Sequence, residues 1–117
     1  MKNLPFLAVA GALALAASGA PASAARAGNF TIVNMSGADW QALSIRRFGT
    51  QDWRPLGATP AHGARGPIAF DDPDCAFDIR ADIAGIGPVV WQGVNLCGAK
   101  AVILHRNARG AAWVDYE

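Results

Sequence analysis

The chain has 117 residues, of which 52% are hydrophobic, and a formal net charge of +1; that is room for one domain with a modest core and excludes a second. Ten basic residues stand against nine acidic ones, with no basic helix or lysine run, which argues against a protein that follows a phosphate backbone; no nucleic-acid partner is expected. Two cysteines and four tryptophans are the informative features of the composition.

At the N-terminus Lys2 supplies a basic start, Leu4 to Ala17 is apolar, and Ala22-Ser23-Ala24 is the small-x-small pattern that signal peptidase reads. Residues 1–24 are therefore read as a signal peptide cut after Ala24, with Ala27 as a second candidate cut, and residues 25–117 as a single β domain. Pro5, Gly11, Ser18 and Gly19 leave the apolar run short of the ~20 residues that a helical span needs, so no retained membrane anchor is expected. No twin arginine precedes the run, which points to export of the unfolded chain. The expected location is periplasmic or secreted. In such an oxidising compartment two cysteines pair.

From residue 29 the pattern is that of short strands. Asn29 to Asn34 sets Phe30 and Ile32 against Thr31 and Val33, and Met35 to Asp39 turns the chain. In 40–48 (WQALSIRRF), Leu43 and Ile45 share one face and Ser44 and Arg46 the other; Phe48 falls out of phase, which predicts a bulge or the strand end near Arg47. Residues 49–66 are rich in Gly, Pro, Thr and Ala and predict a long connection pinned by Trp53, with room for a short strand around Trp53 to Leu56. A third strand is expected over 66–70 (GPIAF), ended by the turn Asp71-Asp72-Pro73-Asp74. Later runs at 101–106 (AVILHR) and 111–117 (AAWVDYE) flank the turn Asn107 to Gly110.

Between them lies 75–97, CAFDIRADIAGIGPVVWQGVNLC. Two strand-like arms flank AGIGP, and a register that pairs Ile83 with Val89 carries on to pair Cys75 with Cys97, which predicts a cross-strand disulfide. In the first arm Phe77, Ile79, Ala81 and Ile83 alternate with Asp78, Arg80 and Asp82, so the charged set is expected to face water. The second arm changes phase after Gly93, as a bulge there would require. The whole is read as all-β: a small antiparallel β-sandwich of about seven strands with one disulfide.

N-x-S-G near the start, W-R-P-L in the middle, then C-A-F-D-I-R and V-N-L-C-G together resemble a group of small exported bacterial proteins of unknown function. Relatives of that appearance are sometimes labelled argininosuccinate lyase, an enzyme family several times longer and built of helices. None of its motifs occurs in this sequence, so the resemblance implies a fold and no catalytic residue.

Chemistry sought directly gives little. Ser36 and Ser44 are the serines after residue 24, beside His62 and His105, and no Gly-x-Ser-x-Gly elbow is present. Asn34-Met35-Ser36 fits the glycosylation sequon. Asp71, Asp72 and Asp74 gather hard oxygen ligands of the kind calcium takes, without the EF-hand spacing, and are the weak metal candidates. Asp78, Arg80 and Asp82 read as a surface charge ladder. Trp40 and Trp91 are assigned to the core, whereas Trp53, Arg54 and Trp113 form the candidate binding surface.

The expectation is thus an exported, non-catalytic β-domain, with no catalytic residue and no cofactor, that binds a protein, glycan or cell-envelope partner. The alternative is a small secreted enzyme or calcium-binding protein built on the Asp71–Asp74 turn and a histidine, His62 or His105.

Overall fold

The computed structural model describes residues 25–117; the expected signal peptide at 1–24 lies outside the described residues. Eight strands follow in chain order: β1 Phe30–Met35, β2 Trp40–Arg47, β3 Arg54–Pro55, β4 Arg65–Ile68, β5 Ala76–Ile83, β6 Gly87–Asn95, β7 Ala101–Arg106 and β8 Ala112–Tyr116. They form two four-stranded sheets, β4-β1-β7-β8 and β3-β2-β5-β6. The all-β sandwich and its single disulfide are as expected. The eighth strand is the two-residue β3, inside the long connection.

One pairing departs from the antiparallel expectation, because β1 and β7 run parallel, with Ile32 opposite Val102 and Asn34 opposite Leu104. Parallel neighbours need a long crossover, and here the whole of the second sheet lies on the path between them. Such a partner choice leaves no mark in the alternation of either strand.

Alternation fixes which side of each sheet is buried. Phe30 and Ile32 of β1, Leu43 and Ile45 of β2, Phe77 to Ile83 at every second position of β5, and Val102 and Leu104 of β7 fill the space between the sheets. Phe70 sets its ring edge-on to both Phe30 and Phe77, with centroids 5.8 and 5.2 Å away, a favoured aromatic geometry. Trp40 and Trp91 are both buried, as expected, and pack against each other. Their polar edges find acceptors: Trp91 Nε1 donates to the His105 carbonyl of the other sheet, and Trp40 Nε1 to Ser36 Oγ, both at 2.9 Å.

The β5–β6 hairpin corrects the predicted register. Ile83 pairs with Gly87 rather than Val89, so the loop is the three residues 84–86, closed by the Ile86 N–H donating to the Ile83 carbonyl. Gly85 and Gly87 take up left-handed backbone, which is what a short hairpin loop requires. Further along, Ile79 pairs with Trp91 but Phe77 with Val94, so Gln92 and Gly93 both face Asp78. This is the bulge expected at Gly93, whose φ is +65°. It turns Val94 inward, where it is buried. Cys75 and Cys97 fall just beyond the paired residues and are joined, with Cα atoms 5.0 Å apart. The predicted disulfide forms although the register that suggested it does not.

Sheet edges and termini are tied down by local devices. β3 and β4 are edge strands carrying Pro55 and Pro67, residues that edges tolerate. Arg65 of β4 meets Glu117 at 3.0 Å across the outer face of the β4-β1-β7-β8 sheet. On the strands between, the outward-facing Val33 and Ala101 are 6% and 2% exposed. Ala27 is fully buried, exchanging two backbone hydrogen bonds with Asp72 and bridging to Cys97.

Candidate functional site

Trp53 stands at the outer face of the β3-β2-β5-β6 sheet. Ser44 pairs with Pro55 and Ile45 with Arg54, so one residue earlier the chain reaches Arg46, on the outward side. There the guanidinium carbons of Arg46 and Arg80 lie 4.5 and 4.3 Å from the Trp53 ring centroid, both within cation–π range. The indole is half-buried as a result.

Asp78 corrects the expected charge ladder. It points outward, yet is 1% exposed. Oδ2 accepts from Arg46 Nε at 2.9 Å and Oδ1 from the Gly93 N–H at 3.0 Å. The bulge supplies that second donor, so both oxygens of the buried carboxylate are satisfied, as burial of a charge demands. Arg80 is half-buried rather than facing water freely, and Asp82 is half-buried too. Alternation gave the side of the sheet correctly; what covers that side was not in the pattern.

A cleft of about 380 Å³ opens between the β2–β3 connection and residues 70–72, sharing Arg46 with the Trp53 cluster but lined by neither Trp53 nor Arg80; its volume is within the size range of small-ligand sites. Ile45, Phe70 and Phe77 form its apolar floor, and Arg46, Arg47, Arg54, Asp52, Asp71 and Asp72 its rim. The rim charges are paired: Arg54 with Asp52 at 2.8 Å, Arg26 with Asp71 at 2.7 Å, and Arg47 with both Asp72 and Asp74 at 3.1 Å. Asp71, Asp72 and Asp74, the weak metal candidates, are thus each held by an arginine. Burial pushes the Asp72 carboxyl up, but the Asp74 N–H and the Arg47 guanidinium outweigh it and hold the group below the usual aspartate value. The same contacts raise Arg47, with the Asp72 hydrogen bond as the leading cause. Among the described residues, no three His, Cys, Asp or Glu side chains gather as a metal site.

Ser36 and His62 both lie at the β1–β2 turn but make no hydrogen bond with each other, and His105 is on the other sheet. Asn34 is fully buried: its amide donates to the Ala38 and Pro60 carbonyls, both at 2.9 Å, and its oxygen accepts from Ser36 N and Oγ. Ser36 Oγ also accepts from Trp40 Nε1. These two residues of the sequon are a polar staple under the β1–β2 turn, and in the folded domain the Asn34 amide is engaged and shielded. His62 accepts from the Gly37 N–H at Nδ1. His105 lies on the outer face of the other sheet, its Nε2 3.0 Å from Asp115 and its ring stacked on Trp113 at 4.9 Å.

The structure therefore brings Trp53 and Arg54 to the β3 edge of the β3-β2-β5-β6 sheet and leaves Trp113 on the opposite sheet. Sequence reasoning missed Arg46, Asp78 and Arg80 as parts of the Trp53 surface. The available signal was the expected bulge at Gly93, which frees a backbone N–H towards the neighbouring strand.

No family model matches the chain, and no curated protein sequence matches it. Among solved structures the chain is similar to the NMR structure of a protein from Eubacterium rectale, with a TM-score of 0.52 and 12% identity over 84% of this chain and 94% of that one. A likeness at that identity concerns the fold alone.

Proposed function

We propose that the chain is an exported, non-catalytic β-domain, periplasmic or secreted, that binds a protein, glycan or envelope partner through the surface around Trp53. The observation that carries the reading is the clustering of Arg46 and Arg80 on Trp53, with Arg46 also on the rim of the neighbouring 380 Å³ cleft. Large aromatic and arginine side chains at a concave, partly desolvated surface are what binding hot spots are made of. The disulfide suits an oxidising compartment. Ala27, built into the fold by two backbone hydrogen bonds, favours a cut after Ala24 over one after Ala27, which would remove it. The resemblance to small exported bacterial proteins agrees with this location.

Capture from an envelope extract on the immobilised processed protein tests the reading. Trp53→Ala and Arg54→Glu should each lose the partners retained by the parent, Arg54→Glu without loss of fold because that side chain is mostly exposed. Equal retention by the parent and both variants would sink the proposal.

A further inference from the structure

We propose that Arg80, held on Trp53 beside Arg46, is a receptor for an oxyanion of the partner, a carboxylate or a phosphate. The proposal rests on the binding surface assigned above and adds the chemistry that it recognises. Two guanidinium groups share one indole, but one carboxylate serves them. Asp78 accepts from Arg46 at Oδ2 and from the Gly93 N–H at Oδ1, and it makes no ion pair with Arg80. Asp82, two residues further along the same face, makes no ion pair with Arg80 within 4.0 Å.

Arg80 is consequently without an acceptor among the described residues. Its Nε is buried with no hydrogen-bond partner, the one such side-chain atom among the described residues, and an orphan of that kind calls for an explanation. The side chain is half-buried, and its terminal nitrogens, which are not among the buried orphans, form its reachable end. The contact with Trp53, 4.3 Å from guanidinium carbon to ring centroid, holds the charged group in place before a ligand arrives, and a guanidinium presents a planar N–H fork suited to bidentate recognition of oxyanions. Ser44, directly opposite Arg80 in the register, is half-buried and adds a hydroxyl with no hydrogen bond among the described residues.

The test is an NMR titration of the processed protein with sodium glucuronate, sodium phosphate and glucose in turn, at fixed ionic strength, following the Arg80 Nε–H and Trp53 Nε1–H signals. Saturable shifts of both signals with an anion, and none with glucose, are expected. The stronger of glucuronate and phosphate tells which oxyanion the site prefers. Arg80→Gln should weaken binding by about tenfold or more and Arg80→Lys, which keeps the charge and loses the fork, by less. Arg106→Gln should leave it unchanged. Shifts that do not saturate with either anion overturn the proposal on the parent protein alone, whatever the variants' stability. Equal affinity in a folded Arg80→Gln protein overturns it as well. If partner capture persists in Arg80→Gln but fails in Trp53→Ala, the binding surface stands and the oxyanion receptor falls.

Discussion

Trp53 and Trp113 stand on the outer faces of opposite sheets, and each lies against a nitrogen-bearing side chain with an aspartate behind it. Around Trp53 the cations are Arg46 and Arg80, and the aspartate behind Arg46 is 1% exposed and satisfied on both oxygens. Around Trp113 the neighbour is His105, the aspartate is the exposed Asp115, and the indole itself is 44% exposed. Greater exposure makes Trp113 the more obvious surface feature. Fixed charge and a buried counter-ion make Trp53 the better prepared one, because a preorganised group loses less freedom when a partner docks.

The contrast can be broken by substitution, beginning with its buried anchor. Asp78→Ala leaves the half-buried Arg46 without its partner and the Gly93 N–H without its acceptor, and should cost about 3 kcal/mol or more, since removing one member of a buried pair is far worse than removing an exposed one. Chemical denaturation checks it; a loss below about 1 kcal/mol would place Asp78 among ordinary surface carboxylates. Replacing Cys75 and Cys97 together by alanine should cost roughly 3 kcal/mol through the unfolded state, a scale set by loop closure. Trp53→Ala should cost about 2 kcal/mol from lost apolar burial and two cation–π contacts, and Trp113→Ala less than about 1 kcal/mol.

The smallest expected effect is that of pH. Asp72 and Glu117 both have lowered folded-state pKa values, Asp72 because the Asp74 N–H and Arg47 outweigh its burial, Glu117 through its hydrogen bond and attraction to Arg65. Each therefore contributes stability that is complete above the group's ordinary pKa and is lost as pH falls through the lowered one. Melting temperatures measured from neutral pH to below the ordinary aspartate value of 3.8 should fall, and Arg47→Gln should flatten the Asp72 part of that fall. High salt should flatten it too, because these pairs are exposed.

Much of this was legible in the chain. The alternation of Phe77, Ile79, Ala81 and Ile83 gave the buried side of β5, and the phase change at Gly93 gave the bulge, because side-chain direction in a strand is a local property. The loop length was misjudged because Gly87 and Pro88 look like turn residues and instead open β6, which shifted the register without preventing the disulfide. The parallel β1–β7 pair and the burial of Asp78 depend on segments distant in sequence, and no period records which segment will arrive. Trp53 was legible as an anchor of the long connection. Its two arginines were not, since Arg46 and Arg80 become neighbours only once β2 and β5 pair.

The four indole N–H signals of one labelled sample test the central claim most directly, because Trp40 and Trp91 are buried and hydrogen-bonded inside the fold and serve as internal references. With envelope extract added to the processed protein, the Trp53 indole signal is predicted to shift or broaden while those of Trp40, Trp91 and Trp113 keep their positions. A response at Trp113 with none at Trp53 would contradict the account and move the binding surface to the other sheet.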